Sequence, residues 1–264
     1  MQASQKTGPL SGLNVLVTRP AHQAQPLIQC LQTEGADTVL LPVIEMSPAP
    51  LTAQLTDAIE QIQDYDIALF ISANAVTHTI PLLPPPSWPA HIKIAGVGQQ
   101  TTQQLINHGF EVDIEPRPPF NSESLLNTPE LSKVSGKKII IFRGVGGREK
   151  LANTLTERGA DVAYAEVYQR KIPRFDDKNI EKIVKTGNID IITITSNEGL
   201  QNLYQIVGGA HRQWLLEKPI AVLSERCASL AMKLGFTHKP TIAKIASNDG
   251  LVKAIEDWYA AKSP

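Results

Sequence analysis

Short apolar runs recur along the chain, each bounded by polar residues or glycine and each followed by a stretch of helical period. "NVLV" (14–17), "IALFI" (67–71), "KIIIF" (138–142) and "IITI" (191–194) read as strands, and the segments behind them as helices. After the first run, Leu27, Ile28 and Leu31 share one helical stripe, and Gly35 is placed to close it in the left-handed conformation. After the run at 138, Leu151 and Leu155 mark the stripe, Arg158 suits the negative helix end, and Gly159 closes it. Gly109 and Gly235 are placed to close two further helices. Strands alternating with helices of this length predict parallel sheets covered on both faces, hence two α/β lobes of similar build. "PLLPPPSWP" (81–89) and "EPRPPFNSE" (115–123) interrupt the pattern as surface connections, because proline removes donors and fixes φ. Asn121 or Ser122 caps the helix after the second of them.

The pattern is stated twice. "GLNVLVTRP" lies over "GKKIIIFRG", "TEGAD" over "ERGAD", "DIALFISANAV" over "DIITITSNEGL", and "IAGVGQQTTQQLINHGF" over "IAVLSERCASLAMKLGF". Three strand–helix units are therefore followed by their three copies. Taken alone, the order favours two tandem halves. The proline-ended stretches "LPVIEMSPAP" (41–50) and "AEVYQRKIPR" (165–174) are the boundary candidates.

Length and composition narrow the partners. The 264 residues suffice for two modest domains, and 42% hydrophobic with 19% charged residues is ordinary for a globular chain. A formal net charge of −1 gives no global field towards nucleic acid or anionic lipid, so neither is an expected partner. Cys30 and Cys227 form no CxxC and no metal-ligand spacing, which points to a reduced, cytoplasmic compartment. The polar N-terminus has no apolar signal core, and no apolar run approaches a bilayer span. None of the six histidines stands in HExxH or a paired spacing, so no metal is expected.

In parallel α/β sheets ligands gather at the carboxyl ends of strands. The residues there are Thr18 and Arg19, Ser72 and Asn74, Gly98 through Thr101, Arg143 and Gly144, Ser196 and Asn197, and Ser224 with Arg226. They are hydroxyls, amides, glycines and arginines, a donor set suited to anionic groups beside helix N-termini. Each hydroxyl taken singly also reads as a plain helix cap, and each arginine as the partner of a neighbouring acid. "FRGVGGREK" (142–150) matches neither the dinucleotide nor the P-loop pattern and reads as a flexible turn. No GxSxG elbow and no Cys/His arrangement supports nucleophilic catalysis. Tyr168, in a segment that bridges the lobes, has a phenol that donates a hydrogen bond yet stays neutral near pH 7. It reads either as a group assisting a leaving hydroxide or as a hinge tyrosine packed for its ring.

Assembled in order, "VLVTRP", "LFISANAV", "IAGVGQQT", "VYQRKIP", "TITSNEGL" and "AVLSERCASLAMKLGF" resemble uroporphyrinogen-III synthases, over about Gly12 to Trp258. The resemblance implies closure of the linear tetrapyrrole hydroxymethylbilane to uroporphyrinogen III, with loss of water and inversion of the last pyrrole through a spiro intermediate. It implies no cofactor. It also implies two α/β domains, one discontinuous, joined by a two-stranded connector with the active site in the cleft: 1–43 plus 173–264, and an inserted domain at 44–172. The family tyrosine that helps the hydroxyl depart matches Tyr168, the threonine after the third strand matches Thr101, the TSxxG/A element matches Ser196 and Asn197, and the SxR element matches Ser224 and Arg226. Arg170 stands where relatives often have threonine. The expected protein is a monomeric, cytoplasmic, cofactor-independent lyase; the alternative is a two-lobed small-molecule (anion) binding protein without catalysis.

Overall fold

A computed structural model of the protein describes residues 8–147 and 149–262; the stretch before Gly8 and Arg148 of the glycine turn lie outside them. Ten strands are formed by the described residues: β1 (Asn14–Val17), β2 (Asp37–Leu40), β3 (Glu45–Pro48), β4 (Ile67–Phe70), β5 (Lys93–Gly96), β6 (Lys138–Gly144), β7 (Asp161–Lys171), β8 (Ile191–Ile194), β9 (Ile220–Val222) and β10 (Thr241–Ile242). They make two five-stranded sheets, ordered β10-β9-β8-β1-β2 and β3-β7-β6-β4-β5. The pairs β1·β2, β1·β8, β8·β9 and β9·β10 in the first sheet are parallel, as are β4·β5, β4·β6 and β6·β7 in the second.

The chain divides into two compact units, Met1–Glu45 with Lys171–Pro264, and Met46–Arg170. Here the tandem order favoured by the residue pattern gives way. Each sheet takes its first strand–helix unit from one repeat and its second and third from the other: β1 pairs with β8, and β6 pairs with β4. The chain leaves the first sheet after β2, builds the whole second sheet, and returns after β7.

Burial explains why the central strands are near-continuous apolar runs. All four residues of β8 and β4 are buried, as are the last three of β1, because helices cover both faces of a parallel sheet. Leu27, Leu31, Leu251 and Ile255 pack on one face of the first sheet. In the second, Phe70, Phe142, Ala165 and Val167 lie in one cluster, and Leu69, Ile141, Leu151 and Leu155 in another. The predicted glycine closures are present in both repeats: Gly35 has φ +93° and Gly159 has φ +86°, a conformation that costs side-chain-bearing residues about 1 kcal/mol or more. Asn121 caps the helix Ser122–Leu126, accepting from the amide of Ser124 at 2.8 Å. Among the described residues, no helix is long and apolar enough to cross a membrane.

Candidate functional site

In the unit Met46–Arg170, the carboxyl ends of β4, β5, β6 and β7 converge because the strands are parallel and in register. Beyond β4, Ser72 caps the helix Ala73–Thr79, its Oγ accepting from the amide of Ala75 at 3.1 Å. The same Oγ lies 3.2 Å from the phenol oxygen of Tyr168. A serine hydroxyl has two lone pairs and one proton, so Ser72 can cap the helix and still donate to Tyr168. Asn74, in the first turn of that helix, is half-buried. Beyond β5, Gly98 caps the helix Gln99–Asn107 by its backbone alone, and Thr101 is buried in the first turn. Gly98, Thr101 and Ser72 line a cavity of about 380 Å3.

Tyr168 is only 5% exposed. Its ring stacks on His78 with centroids 5.7 Å apart and lies against Gly144, where a Cβ would fall 2.7 Å from Cζ of the tyrosine. A second cavity of about 460 Å3 is lined by Tyr168, Ser72, Gly144, Ser122, Lys150 and Arg170, with Glu123, the turn Val145–Gly147 and the apolar Ile71 and Leu151 completing it. Lys150 Nζ is 2.7 Å from Glu123 Oε1, with both side chains more than half exposed. This wall of hydroxyls, two cations and a glycine-rich turn is donor-rich, and one carboxylate enters it.

Arg143 does not line that cavity. It is 4% exposed, and its guanidinium is turned into its own loop. Nη2 donates to the Gly147 carbonyl at 2.6 Å, and Nε lies 3.5 Å from Glu166 Oε1. The guanidinium carbon sits 4.2 Å above the Tyr164 ring. Burial pushes the Tyr164 phenol above its usual range, while Arg143 opposes the shift.

The unit formed by Met1–Glu45 and Lys171–Pro264 carries the remaining candidates at its own strand ends. Thr18 is buried and donates to the Thr193 carbonyl at 2.6 Å, tying the end of β1 to β8. Arg19 is half-buried, its Nε without a hydrogen-bond partner among the described residues, and desolvation lowers its pKa. Ser196 caps the helix Asn197–Ile206, accepting from Gly199 at 3.0 Å, and Asn197 opens that helix. Ser224 caps Glu225–Leu234, accepting from Cys227 at 3.3 Å, with Arg226 exposed beside it. Ser72, Ser196 and Ser224 are thus helix caps whose oxygens accept from the backbone, and the Ser72 hydroxyl is also engaged with Tyr168.

Lys150, Ser122, Glu123 and Arg170 complete the larger cavity, and none was among the strand-end candidates. Lys150 had a signal, being the first residue of the helix behind the glycine turn. Ser122 and Glu123 had none, because they reach the site from a helix that precedes β6 in the chain. Among the described residues, no group of three or more His, Cys, Asp and Glu could hold a metal ion.

Two parallel α/β units, one of them assembled from both ends of the chain, each presenting hydroxyls and helix N-termini at its strand ends, define a class of two-unit α/β protein. Comparison with known proteins narrows that class. The family model described as uroporphyrinogen-III synthase HemD matches residues 25–253. The uroporphyrinogen-III synthase of Escherichia coli (strain K12) is 33% identical over 247 residues, covering 92% of this chain and 100% of that protein. The Salmonella typhimurium enzyme is 32% identical, covering 92% and 100%. The crystal structure of uroporphyrinogen-III synthetase from Helicobacter pylori superposes with a TM-score of 0.61 at 16% identity, over 93% of this chain and 99% of that one. The chain belongs to the uroporphyrinogen-III synthase family.

Proposed function

We propose that the chain closes hydroxymethylbilane to uroporphyrinogen III without a cofactor, and that Tyr168 supplies the proton with which the terminal hydroxyl departs as water. Family membership over nearly the full length supports this reaction over a non-catalytic anion-binding protein. The observation that carries the role of Tyr168 is its placement: a buried ring whose hydroxyl meets Ser72 at the wall of a donor-rich cavity.

The chemistry asks little else of the protein. Once water has left, the azafulvene-like cation is attacked by a pyrrole carbon without further activation. The protein decides which carbon is presented, by orientation. The proton given by Tyr168 is matched by the one released when the attacked pyrrole regains aromaticity, so one water is the net product. When Ser72 donates to the phenol oxygen, the tyrosine proton is free for the leaving hydroxyl, and the same hydrogen bond stabilises the developing phenolate. Such general-acid help is worth roughly 10²–10⁴ in rate.

The substrate is a polycarboxylate, and both units offer donors at their strand ends. Gly98, Thr101 and Gly144 in one unit, and Arg19, Ser196, Asn197, Ser224 and Arg226 in the other, are the carboxylate contacts in this reading, while the Ser72 hydroxyl serves Tyr168. Asn74 and Thr18 stand beside these contacts. The protein is read as a cytoplasmic monomer, a state that sedimentation tests directly. To test the activity, hydroxymethylbilane is incubated with and without the protein, and the oxidised products are resolved as porphyrin isomers. The type III isomer should dominate with protein, and type I alone in both samples would end the assignment.

A further inference from the structure

Tyr168 owes its placement to an irregularity between β6 and β7. Arg143 stands opposite Glu166, but the next partner of the strand, Gly144, stands opposite Tyr168, so Val167 is skipped. Along β7, Val162 and Tyr164 pack with the cluster on one face of the sheet, and Ala165 and Val167 with the cluster on the other. Regular alternation would put Tyr168 on the face of Tyr164 and Glu166. The skipped residue instead places it with Val167, where its hydroxyl reaches Ser72. A bulge that re-aims one side chain in this way persists only if its surroundings hold it.

The surroundings that hold it centre on Arg143. The guanidinium donates to the Gly147 carbonyl at 2.6 Å and to the Gly144 carbonyl at 3.3 Å, so it spans the turn from start to end. It lies flat against Gly147, where a Cβ would come within 3.1 Å of Nε. Glu166 is 3.5 Å from Nε and accepts from the amide of Gly146 at 3.2 Å. The turn is fixed to the tyrosine itself by the Val145 amide, which donates to the Tyr168 carbonyl at 2.9 Å.

We propose that Arg143 is a positioning residue, which holds the Gly144–Gly147 turn and the β6/β7 bulge so that the Tyr168 hydroxyl faces the cavity. This role presupposes Tyr168 as proton donor. It replaces the substrate contact expected of a strand-end arginine: Nε and Nη2 are spent on two carbonyls and the guanidinium face on the Tyr164 ring, while Nη1 is buried without a hydrogen-bond partner among the described residues, and lysine can reproduce only part of that planar fork.

The test is a double-mutant cycle on the whole protein with hydroxymethylbilane as substrate. Arg143→Met, Arg143→Lys, Tyr168→Phe and the doubles are compared, with circular dichroism and thermal unfolding as fold checks. Arg143→Met should lower kcat about ten- to a hundredfold and change KM by less than about twofold. Arg143→Lys should recover part of the loss. Added to Tyr168→Phe, Arg143→Met should cost less than about a further twofold. An effect that multiplies in full on Tyr168→Phe, or that appears in KM, means Arg143 touches substrate and overturns the proposal alone. Tyr168→Phe at the wild-type rate overturns the tyrosine's role, and this one with it. If Arg143→Met does not fold, Glu166→Gln, which keeps the guanidinium but weakens its anchor on the turn, takes its place in the same cycle with the same two outcomes.

Discussion

Replacing Gly144 by alanine perturbs the site at the smallest possible scale. The added methyl carbon would sit 2.7 Å from Cζ, 2.8 Å from Cε2 and 3.1 Å from Cε1 of Tyr168, where ordinary contact begins at 3.4 Å. The ring must therefore retreat by about 0.7 Å or more, a figure set by that contact distance. It cannot do so freely, because His78 stacks on the same ring and Tyr168 packs in the cluster of Phe70, Phe142 and Val167. Forcing extra volume into such packing costs about 1–3 kcal/mol, which thermal or urea unfolding reads. The functional effect should be larger, because the hydroxyl moves with the ring. A misplacement of about 1 Å costs about a hundredfold in rate. The assay is the initial rate of uroporphyrinogen III formation across substrate concentration, with the isomers separated. Gly144→Ala should lose kcat strongly and KM little. A folded variant with wild-type kcat would refute the dependence of turnover on where the phenol sits.

Further perturbations separate structural from chemical duties. Thr18→Val removes the buried hydrogen bond to the Thr193 carbonyl and should destabilise the protein by about 1–3 kcal/mol, the cost of a lost or unsatisfied buried bond, seen as a lower midpoint in urea. Lys150→Met removes an exposed cation paired with Glu123, so stability should change by less than about 1 kcal/mol, while KM rises and its dependence on salt weakens. Cys227 is 1% exposed, and burial pushes its thiol up to about 11, so in the native protein it should resist a thiol reagent at neutral pH and react on unfolding; rapid native modification of Cys227, mapped by mass spectrometry, would contradict that.

The elements were legible wherever local chemistry decides them. "NVLV", "KIIIF" and "IITI" are strands because branched apolar runs this short satisfy a sheet buried on both faces, and Gly159 closes its helix because its φ is positive. What periodicity does not contain is the choice of partner. The runs at β1 and β6 are nearly interchangeable in pattern, yet β1 pairs with β8 and β6 with β4, and only tertiary packing makes that choice. The hydroxyls of Ser72, Ser196 and Ser224 were visible both as caps and as donors, and the geometry keeps both uses open. That the Arg143 guanidinium turns into its own loop has no signal in the sequence, because strand-end position says nothing about where a long side chain turns. The skipped Val167 was equally invisible, since a register shift leaves no trace in alternation until the two strands are paired. Glu123 and Lys150 meet from segments on either side of β6.

The most direct measurement is the single-turnover rate of Tyr168→Phe on hydroxymethylbilane, set against wild type at saturating protein. Loss of one hydroxyl from a ring that otherwise stays packed should slow formation of the type III isomer by about a hundredfold or more, with substrate affinity little changed. A variant that binds and closes the tetrapyrrole at the wild-type rate would mean that the proton for the departing hydroxyl comes from elsewhere.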